Sequence, residues 1–310
     1  MAALPAGYAA RAATLADRDA WLAVIFVVDE DEMGYAEYSM DDVDGDFGRP
    51  GFDLASDAFV VTDPTGTLVG HGNVACRVED PDLADLDVYV HPAHPTAELE
   101  AYLLERTEAR ARELGAARAR IANIPGNTVR DSLFRASGYE LVRCFHRMRI
   151  DFDGPLTAPV VPEGVTLRNF VPGVDDAATI ATVDAAFGEH WDSQPTHESD
   201  WQNRFVGRSD FDPSLWWLAE VDGEIAGVLI GFPNQAGAGW VKELGVRKEY
   251  RGRGIARTLL LTSFAAFQSR GWGAALLGVD TENATGALRL YEGAGMSPAF
   301  RIDVFERRLS

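Results

Sequence analysis

The chain has 310 residues, 46% of them hydrophobic, and a net charge of -20 at pH 7, which suits about two globular domains with separate cores. That acidity disfavours nucleic acid and anionic membrane surfaces as partners and is compatible with a cationic amine, although an acidic surface that keeps the chain soluble is the simpler account of most of it. The longest apolar candidate, 21–28, is too short to cross a bilayer and the start lacks a signal-peptide pattern, so a soluble cytoplasmic protein is expected; Cys76 and Cys144 offer neither metal spacing nor a disulfide framework.

In chain order, a short strand at 9–13 is followed by a helical pattern and a hairpin over 58–75 that turns near Asp63-Pro64-Thr65-Gly66. A strand at 86–90 enters the turn His91-Pro92-Ala93-His94-Pro95, and a helical pattern over 97–113 stops at Gly115. An apolar strand at 117–124, Asn127 and the segment Leu133-Phe134-Arg135-Ala136-Ser137-Gly138 follow. The Pro- and Gly-bearing stretch 151–162 reads as a linker. It divides the chain into an N-terminal domain, 1–152, a linker, 153–162, and a C-terminal domain, 163–310.

Beyond the linker the rhythm repeats. A strand at 165–168, a helical pattern and a hairpin over 215–232 with a turn at Asp222-Gly223 come first. Then come a strand at 242–246, a helix over 255–269 ending at Gly271, an apolar strand at 274–279, Asn283 and Leu290-Tyr291-Glu292-Gly293-Ala294-Gly295. This self-similarity implies a duplicated domain, and the alternation of strands and helices implies an α/β (α+β) fold with a mixed sheet.

Between the second-half strand and helix lies Arg251-Gly252-Arg253-Gly254. Glycine lets a ligand approach the backbone, a helix N-terminus presents free N–H groups to an anion, and two arginines add charge that is out of character in so acidic a chain. Taken alone the turn licenses only an anion site, and an exposed basic turn is the plain alternative. Glycine does not recur three residues after Gly254, so this is not a dinucleotide fingerprint.

Arg251, Gly254 and Ala256, preceded by Leu244-Gly245-Val246 and followed by Asn283 and Tyr291, resemble the signature of the GNAT superfamily of acetyltransferases over about 165–308, and most closely its tandem-domain, mycothiol-synthase-like members. The resemblance implies two GNAT-like domains, each a mostly antiparallel twisted sheet flanked by helices. It also implies acetyl-CoA as cosubstrate, no metal, a small-molecule amine as acceptor, and a monomer or homodimer. Cofactor contacts would come from Leu244, Gly245, Val246, Arg251, Gly252, Arg253, Gly254, Ile255, Ala256 and Asn283. Tyr291 would protonate the CoA thiolate; its alternative is a core ring with a surface hydroxyl. Asn283 could equally cap a helix. Glu243, mid-strand beside the thioester site, is the best base candidate, and alternation leaves open whether it faces substrate or solvent. Glu189, His190 and Asp192 are weaker candidates for amine recognition, with a charged loop as their alternative.

The first half lacks these features. Its matching turn holds prolines and Glu98 in place of the Arg/Gly cluster, and Phe134 stands where Tyr291 does. A catalytically silent first domain is therefore expected. The pair His91 and His94 reads as loop decoration rather than a metal site. The acidic stretches 29–32 and 41–46 are a solvated helix end and loop or, more sharply, a wall that attracts a polyamine or aminoglycoside-like substrate. Non-catalytic acyl-CoA binding, mycothiol synthesis and protein N-acetylation are the competing functions. Against mycothiol synthesis, Trp240 occupies the place where an acidic residue would stand.

Overall fold

In the computed structural model, which describes residues 2–77, 80–235, 237–283 and 285–309, these periodicities become two compact units, 1–144 with 301–310 and 145–300. The first unit contains strands β1 (Ala9–Ala12), β2 (Ala58–Thr62), β3 (Leu68–Cys76), β4 (Leu83–Val90) and β5 (Arg118–Asn123). Its helices are α1 (Arg18–Met33), α2 (Met40–Phe47), α3 (Leu54–Asp57), α4 (Thr96–Glu113) and α5 (Thr128–Ala136). The chain continues through β6 (Glu140–Asp151), β7 (Thr166–Asn169), α6 (Asp176–Phe187), α7 (Glu198–Trp201), β8 (Trp217–Val221), β9 (Glu224–Asn234) and β10 (Ala238–Val246). It ends with α8 (Ile255–Ser269), β11 (Ala274–Asp280), α9 (Ala287–Gly293) and β12 (Ser297–Arg308).

The first unit's sheet runs β1-β2-β3-β4-β5-β12, and the second unit's runs β6-β11-β10-β9-β8-β7. Pairing is antiparallel except for β4 with β5 and β10 with β11. This is the mixed, mostly antiparallel α/β architecture expected from the sequence. The sequence places the break between halves at 153–162; in the structure the terminal strands are exchanged. Residues 303–308 pair with β5 in the first unit, and residues 145–151 pair with β11 in the second. Residues 154 and 160 lie on α8, where Gln268 Nε2 donates to the Gly154 carbonyl at 3.2 Å and Thr258 Oγ1 to the Val160 carbonyl at 2.7 Å. Periodicity identifies an edge strand but carries no information about which sheet it joins, so the exchange is invisible in the sequence.

Each sheet is covered on both faces. In β2, Ala58 and Val60 pack with Trp21 and Ile25 of α1, whereas Phe59 and Val61 pack with Leu99 and Leu103 of α4, as alternation along a strand requires. In the second unit β9 is buried continuously from Ile225 to Phe232, the pattern of a strand sandwiched between helices. Phe264 and Phe267 of α8 are fully buried there. Gly239 makes room for the Phe267 ring: a Cβ at that position would lie 2.1 Å from the ring. The β8–β9 hairpin turns at Asp222 (φ 52°) and Gly223 (φ 84°), the two positive φ values of a tight hairpin turn. No helix among the described residues is long and apolar enough to cross a membrane.

Candidate active site

Strand β10 pairs with β11 only through Ala238–Val241 against Ala274–Leu277, although the two strands continue to Val246 and Asp280. On its other edge β10 stays paired with β9 as far as Val246, with a register shift between Val241 and Glu243. A bulge of this kind bends a strand and strengthens its twist. The backbone edge of 242–246 that faces β11 is therefore left without a ladder partner. A cavity of about 420 Å³ occupies the opening, bounded by Glu243 to Val246 on one side and Leu277 to Asp280 on the other. The start of α8 and Tyr291 of α9 close it.

The turn at the cavity mouth needs its glycines. Gly252 and Gly254 have φ of 78° and 85°, a region that costs other L-residues roughly 1–2 kcal/mol. The first bond of α8 runs from the Thr258 N–H to the Gly254 carbonyl, so the N–H groups of Ile255, Ala256 and Arg257 have no partner within the helix. Those groups and the helix dipole form an anion cradle beside the unpaired strand edge. Gly252, Gly254, Ile255 and Ala256 all border the cavity.

Arg251 does something the sequence does not reveal. Its guanidinium donates to the Val246 carbonyl at 3.1 Å and to the Ala186 carbonyl at 2.9 Å, and it lies 3.5 Å from Glu189. It thus fastens the C-terminus of α6 to the end of the splayed strand. Arg253 is exposed and lies outside the cavity wall. Arg257 borders the cavity and donates to the Gly293 carbonyl at 2.6 Å. A third arginine in the same basic run is the signal that could have singled it out.

Gly245 explains the face of Glu243. A Cβ at Gly245 would lie 2.7 Å from the Cβ of Ala186 and 3.1 Å from the Phe187 ring, so α6 sits directly on that face of the strand. Alternation puts Glu243 on the same face, toward α6 rather than toward solvent. Burial is the main cause that raises its carboxyl to about 7, opposed by Lys242 and Arg204. Tyr291 is 7% exposed, with its ring in the core. Burial first, then the charge of Glu243, raises its hydroxyl well above the usual tyrosine range, so it holds its proton at neutral pH.

Asn283 borders the cavity, but its Oδ1 accepts from the Thr285 N–H (2.7 Å) and hydroxyl (2.5 Å). The N-cap of α9 is Gly286, so Asn283 shapes the approach to the helix instead of capping it. Of the three acceptor candidates only His190 borders the cavity. Burial, then Arg251, lowers its basicity, which favours the neutral imidazole. Glu189 is exposed, pairs with Lys248 at 2.6 Å and stands outside the wall, as does Asp192. Phe145 also lines the cavity, its ring centroid 6.2 Å from that of Trp191. It arrives on β6, from the sequence half in which no site was expected.

The first unit repeats the splay. Strand β4 pairs with β5 only through Leu83–Leu86 against Arg118–Ile121, and a cavity of about 430 Å³ lies beyond the ladder's end. Here Arg130 of α5, four residues before Phe134, lines the space; the matching position before Tyr291 is Ala287. Arg130 pairs with Glu100 and Glu32, each at 3.0 Å. His94 Nδ1 lies 3.0 Å from the Tyr8 hydroxyl, and His91 Nδ1 accepts from the Ala93 N–H. No cluster among the described residues could hold a metal ion.

Comparison with known proteins agrees with this geometry. The pattern of the Acetyltransferase (GNAT) family matches residues 180–296. A mycothiol acetyltransferase of Streptomyces avermitilis is 34% identical over 247 residues, 74% of this chain and 73% of that protein. The crystal structure of a GCN5-related N-acetyltransferase from Sphaerobacter thermophilus superposes with a TM-score of 0.80 at 33% identity, covering 99% of this chain and 97% of that one. A tandem GNAT protein from the clavulanic acid biosynthesis pathway shares the fold, with a TM-score of 0.73 at 15% identity over 98% of this chain and 99% of that one. The chain belongs to the GNAT family of acetyltransferases, which use acetyl-CoA.

Proposed function

We propose that the second unit transfers an acetyl group from acetyl-CoA to the primary amine of a small molecule, and that the first unit performs no chemistry. The observation that carries this reading is the coincidence, in one cavity, of an unpaired strand edge, a glycine-shaped helix N-terminus, a tyrosine that keeps its proton and a carboxyl raised to about 7. The unpaired edge of 242–246 would take the pantetheine arm as an added strand, and the N–H groups at the start of α8 would hold the pyrophosphate. Acetyl-CoA supplies an acyl group already activated as a thioester. A backbone N–H of Leu244 or Val246 would face the carbonyl oxygen as it gains charge. Glu243 would take a proton from the acceptor's ammonium, directly or through one water, freeing the amine lone pair to attack the carbonyl carbon; as the C–S bond breaks, Tyr291 would give its proton to the departing sulfur. Neutral His190, on the cavity wall, would contact the acceptor; Glu189, tied to Lys248 and Arg251, would not.

The relatives named mycothiol acetyltransferase favour a second, narrower reading, in which this chain acetylates the acceptor that gives those proteins their name. Trp240 stands against it: its ring lies under the Arg147 guanidinium at 4.3 Å and offers no carboxylate. Release of free thiol from acetyl-CoA across a panel of amines, with the mycothiol precursor amine among them, tests both. Turnover with other amines and none with the precursor sinks the narrow reading. Tight CoA binding without turnover on any amine sinks the broader one and favours a non-catalytic acyl-CoA binder.

A further inference from the structure

The first unit's cavity holds an arrangement that the acetyl-transfer reading leaves unused. The side chain of Glu100 is 3% exposed, and its Oε1 accepts from Arg130, yet its Oε2 has no hydrogen-bond partner among the described residues. Glu32, at 11% side-chain exposure, shares the same arginine and accepts from Asn127 Nδ2 at 2.8 Å. Asp31 stands on the same wall. Three carboxylates thus face a cavity that contains one cation, Arg130. Burial outweighs that cation's attraction and raises the Glu100 carboxyl above the usual range, as desolvation of a carboxylate does. The rest of the lining includes Val28, Val90 and Ile124.

We infer that this cavity binds an organic ammonium ion, with its charged end between Glu32 and Glu100 and its carbon body against the apolar wall. A phosphate-bearing ligand is disfavoured by the carboxylates and by Pro92, which removes an N–H from the turn. A bare metal ion is disfavoured because no cluster of metal-ligating side chains forms among the described residues and the space, about 430 Å³, greatly exceeds an ion's needs. An ammonium brings three donors, enough to bridge the Glu32 and Glu100 carboxylates. The sequence shows 29–32 as an acidic run that could attract a cation; the fold sets two of its members in a cavity wall that also carries Glu100.

Titration calorimetry on the full chain saturated with CoA, with hexylammonium as probe and hexanol as its uncharged counterpart, tests this. We expect a saturable hexylammonium site that Glu32→Gln weakens by about tenfold or more, as loss of a charge-assisted hydrogen bond gives, and no comparable hexanol site. Glu100→Gln removes the buried partner of Arg130 and risks unfolding, so Glu32→Gln, checked by circular dichroism, is the deciding variant. Glu98→Gln, on the same helix as Glu100 but exposed and outside the cavity wall, should leave the heat unchanged. Absence of saturable binding, equal binding of hexanol, or full affinity in folded Glu32→Gln overturns the inference.

Discussion

The two units open the same gap in the same way and fill it differently. In each, a central parallel pair stops after four residue pairs while both strands run on, and a cavity of similar size follows. In the second unit the helix beyond the gap brings alanine and then tyrosine; in the first it brings arginine and then phenylalanine. The Arg130 guanidinium, held between the buried Glu100 and the part-buried Glu32, stands at the position that Ala287 occupies before Tyr291. The splay is therefore a property of the shared fold, and the chemistry is decided by a few side chains that border it.

The sharpest way to break this contrast is to make the second unit resemble the first. Tyr291→Phe should lower the turnover rate by about 10²- to 10⁴-fold, the span general-acid groups command, while calorimetry shows CoA binding retained; an undiminished rate would remove Tyr291 from the mechanism. The next effect is on pH. Glu243 must be ionised to accept a proton, so turnover should rise with pH and level off above about 7. At pH 5 it should stand about a hundredfold below the plateau. If the rising limb survives in Glu243→Gln, it belongs to the acceptor's own ammonium.

A smaller loss is expected from the clamp. Arg251→Met frees the Val246 and Ala186 carbonyls, and two lost charged hydrogen bonds on a part-exposed side chain should weaken CoA binding by about tenfold. Unchanged affinity would show that the strand end and α6 stay together without it. The mildest effect is thermal. The folded state holds the Glu243 proton up to about pH 7, whereas the ordinary carboxyl loses it near 4.5. Stability is therefore lost as pH rises between those values, and that cost is fully present above 7. Glu243→Gln should raise the melting temperature by a few degrees at pH 8 and leave it almost unchanged at pH 4, as followed by circular dichroism. Equal shifts at the two pH values would mean that the carboxyl's burial is not the cause.

The duplication, the strand and helix order, and the turn at Arg251 to Ala256 were legible because periodicity and glycine placement are local properties. The role of Arg251 was half legible: its charge was visible, but the two carbonyls that occupy it come from residues 5 and 65 positions away. The face of Glu243 depends on how closely α6 approaches Gly245, a packing fact no spacing encodes. Asp31 and Glu32 read as a solvated helix end or an acidic wall for a cationic substrate, and nothing in the sequence announces that Glu100 and Arg130 converge with them. Phe145 could not be found from motifs, because it belongs by sequence to the half that the motifs had set aside.

The exchange of end strands has a consequence for synthesis. The last strand of the first unit's sheet, 303–308, pairs with residues 118–123, so that sheet stays one strand short until residues 303–308 have left the ribosome. Its open β5 edge must wait through about 180 residues of translation, and such late, long-range closure slows folding. A gene cut at 153–162 would yield two products that each lack a strand.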